Sequence, residues 1–530
     1  MRDPRYPSLF QVNTRVYLSQ LAADLGRPAT LDDVPDCKLD QWVASGFDLI
    51  WFLGVWQTGP EGRRVSASNP GWLEEYGRIL TDFQLSDVCG SCFAVHDYRV
   101  HDDFGGDAAL GRLRQRLCTR GLRLILDFVP NHTAPDHPWV KTHPDYYVGG
   151  SPQQLADQPQ NYGRAAGDRI LAYGRDPYFD GWPDTFQLNY GNPALQQAMV
   201  GVLRRLASQC DGLRCDMAML VLPEVFQRTW GIACQPFWPR ATSAIHEEHP
   251  GFLFLAEVYW DLEWTLQQQG FDYTYDKRLY DRLCERHVRP VREHLMAGLD
   301  FQDKLARFLE NHDEPRAAAT FPLEVHRAAA IVTFLTPGLR FFHQGQFEGR
   351  RVRIPVHISR GAAEPPDEDL AGFYAALLEC LREPAFRDGE WRLVECRLAW
   401  DGNWTWDCFV AWAWTGREGS RWLVSDSLGM GYVVILDGGV LKLYETNAIN
   451  AWASNNATSD VLMLQNASGV SVGGLLVSNL INTLTRTYID FDSATPLAGH
   501  TIDVSGSLTL SATNDTMINA DNDLIVVQRS

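Results

Sequence analysis

Four short apolar runs in this chain close on, or just beyond, a carboxylate. LRLILD ends at Asp127, DGLRCD at Asp216 and FLFLAE at Glu257, while ARFLENHD reaches Asp313. A carboxylate at the end of a buried strand costs free energy unless something pairs with it, so four in one setting point to a shared site. Two carboxylates whose surroundings push their pKa values apart can divide the work of nucleophile and proton donor. Arg214 lies two residues before Asp216, and strand alternation turns both side chains to one face, where the cation favours an ionised Asp216. Glu257 lies between FLFLA and VYW, flanks that withdraw it from water and favour its protonated form.

The elements that must position these groups are legible as alternation. Strand-like runs occur near residues 9–18, 47–56, 122–128, 211–216, 252–258, 271–276, 306–311 and 339–345, separated by amphipathic stretches. Eight such units close a barrel, and the C-terminal ends of its strands form the face where sites are built. Before the third strand the spacing predicts a helix with Asp107 as N-cap, a stripe of Leu110, Leu113 and Leu117, and Gly121 at its end. Another helix is expected to start near Asn192-Pro193.

The fold class read from this pattern is α/β, a (β/α)8 TIM barrel over residues 1–385. A stretch rich in Pro, Gly, Asp and Tyr at 133–190 reads as an inserted subdomain on the catalytic face. From 386 to 425 Trp-rich runs such as CFVAWAW and RWLV predict the start of an antiparallel β-domain. Beyond 426 the basic residues reduce to Lys442, Arg486 and Arg529, and segments such as VLMLQNASGVSVGGLLVSN suggest a β-rich, solenoid-like tail.

A formal net charge of -19 argues against nucleic-acid and anionic-membrane partners, which require a basic surface. A neutral ligand is the better expectation, and 18 Trp, 18 Tyr and 25 Phe supply flat faces for sugar rings. The start, MRDPRYPSLFQVNTRVYL, lacks the apolar core of a signal peptide, and no run reaches the ~18 residues of a membrane helix. With eleven irregularly spaced cysteines the expectation is a soluble cytoplasmic protein with reduced thiols. Cys89-Gly-Ser-Cys92 has no second pair to complete a zinc site, and Cys215 alternates away from the acids into the core.

DFVPNH (127–132), GLRCD (212–216), FLAEVYW (254–260) and ENHDEPR (310–316), in this order, resemble the motifs of the α-amylase superfamily, glycoside hydrolase family 13. DYRVHDDFGG (97–106) and TPGLRFFHQGQ (336–346) extend the likeness over roughly residues 8–425. The resemblance implies a retaining enzyme acting on α-1,4-linked glucan or maltooligosaccharides through a covalent glycosyl-enzyme. Asp216 would be the nucleophile, Glu257 the acid/base and Asp313 the third acid that holds the sugar ring. It also implies substrate contacts from Asp127, His132, Arg214 and His312, with Phe93, Tyr98, Tyr259 and Trp260 as aromatic candidates and Trp182 beside them.

Two departures stand out. Many relatives carry Lys-His where this chain has Met219 and Leu220, and of the residues that serve calcium in relatives only Asn131 is retained, so no metal and no other cofactor is expected. The altered acceptor side leaves transfer to a sugar or phosphate as an alternative to hydrolysis, and a non-catalytic glucan-binding protein as a second one.

Overall fold

The computed structural model describes residues 4–396, 405–417 and 421–426, with the backbone of short strands at 432–436, 440–442, 452–453, 476–477 and 501–503. Its centre is a closed barrel of eight parallel strands: β1 (Ser8–Asn13), β2 (Leu49–Leu53), β3 (Arg123–Phe128), β4 (Gly212–Cys215), β5 (Leu253–Ala256), β6 (Tyr273–Tyr275), β7 (Leu305–Arg307) and β8 (Leu339–His343). Each strand pairs with the next in sequence, and β8 returns to β1. Runs such as LIWFL are buried along their whole length, because barrel strands face side chains inside and helices outside. The (β/α)8 expectation therefore stands, with every barrel strand inside or beside a run marked in the sequence.

The ends of those runs differ, for local reasons. The first stops at Asn13, whose Oδ1 accepts a hydrogen bond from Val16 N–H and starts the helix Thr14–Leu25, so RVYL is helical rather than extended. The second stops at Leu53 because Gly54 takes φ 74°, and a β-carbon there would lie 2.5 Å from that of Cys92. The helix before β3 spans Gly106–Cys118 with Gly105 as its N-cap. Asp107 falls in the first turn instead, where its carboxylate accepts from Val100 N–H at 2.8 Å and ties the helix to the end of the preceding strand, Val95–Val100. Leu110, Leu113 and Leu117 are buried as expected, and Asn192 caps the helix Pro193–Ala207 through Ala194 N–H.

Three connections rise above the C-terminal rim of the barrel. After β2 come the strand Trp56–Thr58, the helices Pro60–Ser66 and Pro70–Ile79, and the strand Val95–Val100. After β3 come the pair His132–Thr133 with Phe186–Gln187 and the hairpin of Tyr162–Arg164 with Ile170–Ala172, whose apolar side chains join the barrel core. After β8 a segment of irregular backbone leads to the helix Glu368–Leu381. Beyond the barrel, β9 (Glu390–Val394), β10 (Val410–Thr415) and β11 (Arg421–Asp426) form an antiparallel sheet. The indoles of Trp412 and Trp414 both donate to Leu335 O, at 2.8 and 2.7 Å, and dock that sheet on the barrel. After 426 the strands Tyr432–Leu436 and Val440–Lys442 continue this sheet in antiparallel order, and the solenoid-like character expected of the remaining tail falls largely outside the described residues. Among those described, no helix is long and apolar enough to cross a membrane.

One more strand-end carboxylate, Asp276 after β6, serves the scaffold. It pairs with Arg307 of β7 at 2.9 Å and His294 at 3.0 Å, and Asp276 and Arg307 are both fully buried. Asp276→Ala strands the Arg307 charge, so it should destabilise the protein by about 3–5 kcal/mol. A melting midpoint unchanged from wild type would refute this.

Candidate active site

The barrel ladder itself places two of the acids. Asp216 N–H donates to Phe128 O at 2.8 Å and Glu257 N–H to Cys215 O at 3.0 Å, so the hydrogen bonding of β3, β4 and β5 continues to the rim. Met217, the next residue, takes the left-handed conformation at φ 41°, a strain of about 1–2 kcal/mol for a residue with a β-carbon. Its N–H donates to Glu257 Oε2 at 2.7 Å, and Tyr259 OH donates to Glu257 Oε1 at 2.8 Å.

Arg214 joins the acids. Nη1 donates to Asp216 Oδ1 at 2.7 Å, and Nε to Tyr275 OH at 3.3 Å. Nη2 lies 2.7 Å from Glu257 Oε2 and 4.0 Å from Asp313 Oδ2, close enough for ion pairing but not directed along a hydrogen bond. The guanidinium is fully buried against the rings of Trp51, Phe93 and Tyr275, 5.4, 5.1 and 5.8 Å from their centroids.

Burial pushes the Glu257 carboxyl up to about 7; Arg214 opposes this, while the charges of Asp216 and Asp313 add to it. Asp216 is also pushed up by burial despite Arg214. Arg214 acts on Asp216 in the expected direction, favouring the ionised form, and dehydration outweighs it. At Asp313 burial acts upward too, but the His312 ring 3.0 Å away and the Arg214 and Arg353 charges reverse it, holding the group at about 2. Its side chain is 42% exposed, the most open of the three acids.

Asp313 is placed by side chains, not by the ladder. Asn311 Oδ1 accepts from the N–H groups of Asp313 and Glu314, and Glu310 staples the loop by accepting from Arg316 Nη1 at 2.6 Å and Ala317 N–H at 2.8 Å. Gln11 Nε2 donates to His312 Nδ1 at 2.9 Å, which leaves the ring proton on Nε2, the nitrogen facing Asp313. Gln11, Glu310 and Arg316 were not among the residues picked out from sequence. A polar residue inside the apolar run LFQVN was the available signal for Gln11.

The remaining candidates divide. Phe93 stays at the site, against Arg214 and 5.3 Å from the His312 ring. His132 is buried 5.3 Å from Trp182; burial lowers it to about 3 against the effect of a hydrogen bond to the Phe93 backbone, so it is a neutral donor. Asp127 was expected to act with Arg214, but its carboxylate accepts from Trp51 Nε1 at 3.1 Å and Gly54 N–H at 2.6 Å, and the link to Arg214 is only through its charge. Burial raises Asp127 to about 6. Tyr98 also turns away from a sugar-binding role: its hydroxyl donates to Val129 O and accepts from Val129 N–H. Tyr259 grips Glu257. Trp260 packs edge-on to Tyr178 and beneath Arg228.

The calcium weighed from the sequence does not suit Asn131 as it is placed here. Asn131 Oδ1 and carbonyl oxygen both accept from Gln187 Nε2 at 2.9 Å, an amide donor where a cation would need bare oxygens. Among the described residues no group of three His, Cys, Asp or Glu side chains could hold a metal ion.

The family described as "Alpha amylase, catalytic domain" matches residues 90–353. Over that span the chain belongs to the α-amylase superfamily. The trehalose synthase/amylase of Mycobacterium tuberculosis is 30% identical over 204 residues, 34% of this chain and 32% of that protein. The α-amylase MalA of Haloarcula japonica is 24% identical over 324 residues, 60% of this chain and 41% of its own length. The match thus spans about a third to two fifths of these relatives. Among solved structures, the maltogenic α-amylase AmyB of Thermotoga neapolitana superposes with a TM-score of 0.59 at 19% identity, over 82% of this chain and 89% of that one. This second likeness concerns the fold.

Because Asn131 is already satisfied by Gln187, a chelator should leave the melting midpoint where it was. A drop that added calcium reverses would overturn the exclusion of that ion.

Proposed function

We propose that this α-amylase-type chain is a retaining glycosidase of α-1,4-linked glucan or maltooligosaccharides, working by double displacement. The observation that supports it most is Arg214 held between Asp216 and Glu257. Both carboxylates lie 2.7 Å from nitrogens of this one guanidinium, which gathers them at one site as a nucleophile and an acid of the retaining pathway must be. Arg214 occupies Asp216 Oδ1, which leaves Oδ2 to attack the anomeric carbon while protonated Glu257 gives its proton to the departing oxygen. The resulting ester at Asp216 removes a negative charge that had raised Glu257, so Glu257 favours its ionised form and can take a proton from the incoming water. Asp313, ionised and the most open acid, is suited to receive hydroxyls of the reacting sugar.

Transfer in place of hydrolysis is the second reading, and the turn after Met217 favours it. Met219 and Leu220 are buried there, so this turn offers no charged group to the side where an acceptor would lie. The relatives also include the α-1,4-glucan:maltose-1-phosphate maltosyltransferase of Corynebacterium pseudotuberculosis, 25% identical over 222 residues. With maltooligosaccharides, products longer than the substrate indicate transfer, and exclusively shorter ones hydrolysis.

Glu257→Gln should lower turnover about 10²–10⁴-fold, the usual contribution of a general acid, and the wild-type product should emerge with α-configuration. Unchanged turnover removes Glu257 from that role and with it this mechanism, whereas glucan binding without turnover in wild type brings the non-catalytic alternative forward. Because Glu257 must be protonated in the free enzyme, kcat/KM should fall as pH rises through about 7. Tyr259→Phe removes a hydrogen bond that favours the ionised carboxylate, so that descending limb should move to higher pH; a shift to lower pH would contradict the assignment.

A further inference from the structure

A second apolar cluster, separate from the barrel core, lies above the rim. It is built from Tyr76, Leu80 and Val88 of the connection after β2, Ile354 and Ile358 of the segment after β8, and Val16 of the first helix. Polar contacts lock the same two connections together. Arg360 pairs with Asp82 at 2.9 Å and with both oxygens of Asp87 at 2.7 and 2.8 Å. The N–H groups of Cys89 and Gly90 donate to His357 O, Ser359 N–H donates to Asp87 O, and Val88 and Ile358 form a bridge. The His357 ring stacks on Trp72 with centroids 4.4 Å apart, and on its other flank Nε2 comes within 3.8 Å of the buried Asp184 carboxylate in the insert after β3. Cys89 of the unexplained CxxC belongs here: Arg15 donates to its Sγ at 3.0 Å, and the thiol donates to His357 O. The connections after β2 and β8 thus form one braced wall, with the insert after β3 lying against it.

The position of this wall follows from the strand order. In a closed ring running β1 to β8, the ends of β2 and β8 flank β1, and β1 stands opposite β5, the strand that carries Glu257. An acid that protonates the departing oxygen must face the leaving group, so the wall stands on the side of the sugar that becomes bound to Asp216. Arg353 lies on the wall next to Val352, whose carbonyl accepts from Arg316 Nε in the loop of Asp313. It is held by Glu75, accepting from Nη2 at 2.9 Å, and both side chains remain more than a third exposed. A guanidinium has five N–H donors, and this contact uses one of them.

Resting on the glycosidase reading above, we infer that this wall ends the cleft on the side opposite Glu257, so that a glucan enters by its non-reducing end and Arg353 binds hydroxyls of the terminal sugar. Short chains with free ends are then the preferred substrates, and internal bonds of long chains are poor ones.

The test compares a nitrophenyl maltooligosaccharide with the same compound blocked at its non-reducing end by an ethylidene group, products being read by chromatography. Wild type should cleave the blocked compound with kcat/KM at least about tenfold lower. Arg353→Ala should raise KM for the free compound more than it lowers kcat, and bring the two substrates closer together. Equal kcat/KM for both compounds in wild type overturns the wall and leaves the glycosidase reading intact. Cleavage of neither overturns both. A blocked-to-free ratio unchanged in correctly folded Arg353→Ala overturns the role given to Arg353.

Discussion

A single buried cation governs the chemistry of this protein. Arg214 is withdrawn from water beneath Trp51, Phe93 and Tyr275, where an unpaired charge would cost several kcal/mol, so it must have carboxylates. Those carboxylates are dehydrated by the same enclosure, and one guanidinium cannot balance Asp216, Glu257 and the nearby Asp127 together. The imbalance is relieved by a proton, and at Glu257 burial and the charges of Asp216 and Asp313 together push the carboxyl up to about 7.

The acids are held by unlike means. Asp216 and Glu257 hang from the ladder of β3, β4 and β5, where Arg214 is in register with Asp127 and Leu255, and a change there disturbs the barrel. Asp313 depends on Asn311, Glu310, Arg316 and the Gln11–His312 contact, a local arrangement built from neighbouring side chains. A rigid pair and a more open third acid suit a site that must keep its reacting geometry while admitting a bulky ligand.

Much of this was readable from the chain because buried parallel strands write themselves as apolar runs, and an acid ending such a run is conspicuous. Strand ends were read less well: Asn13 as a cap and Gly54 as a break outweigh the extended preference of their neighbours. Burial ahead of pairing explains the upward shift at Asp216, and a sequence shows neither how deep a group lies nor which of several donors reaches it. Asp127 and Tyr98 resemble ligand contacts by position, yet the loops they brace consume their hydrogen bonds. Gln11 lies 301 residues from His312, beyond any local pattern.

Met217 grips Glu257 with its backbone, and its side chain takes no part in that hydrogen bond. Position 217 can therefore exchange one side chain for another while the amide keeps its hold on the carboxylate, provided the left-handed turn survives. That side chain packs partly buried against the core, next to Asp216 in the chain. Divergence between water and sugar as acceptor could begin at such a place without passing through an inactive ancestor.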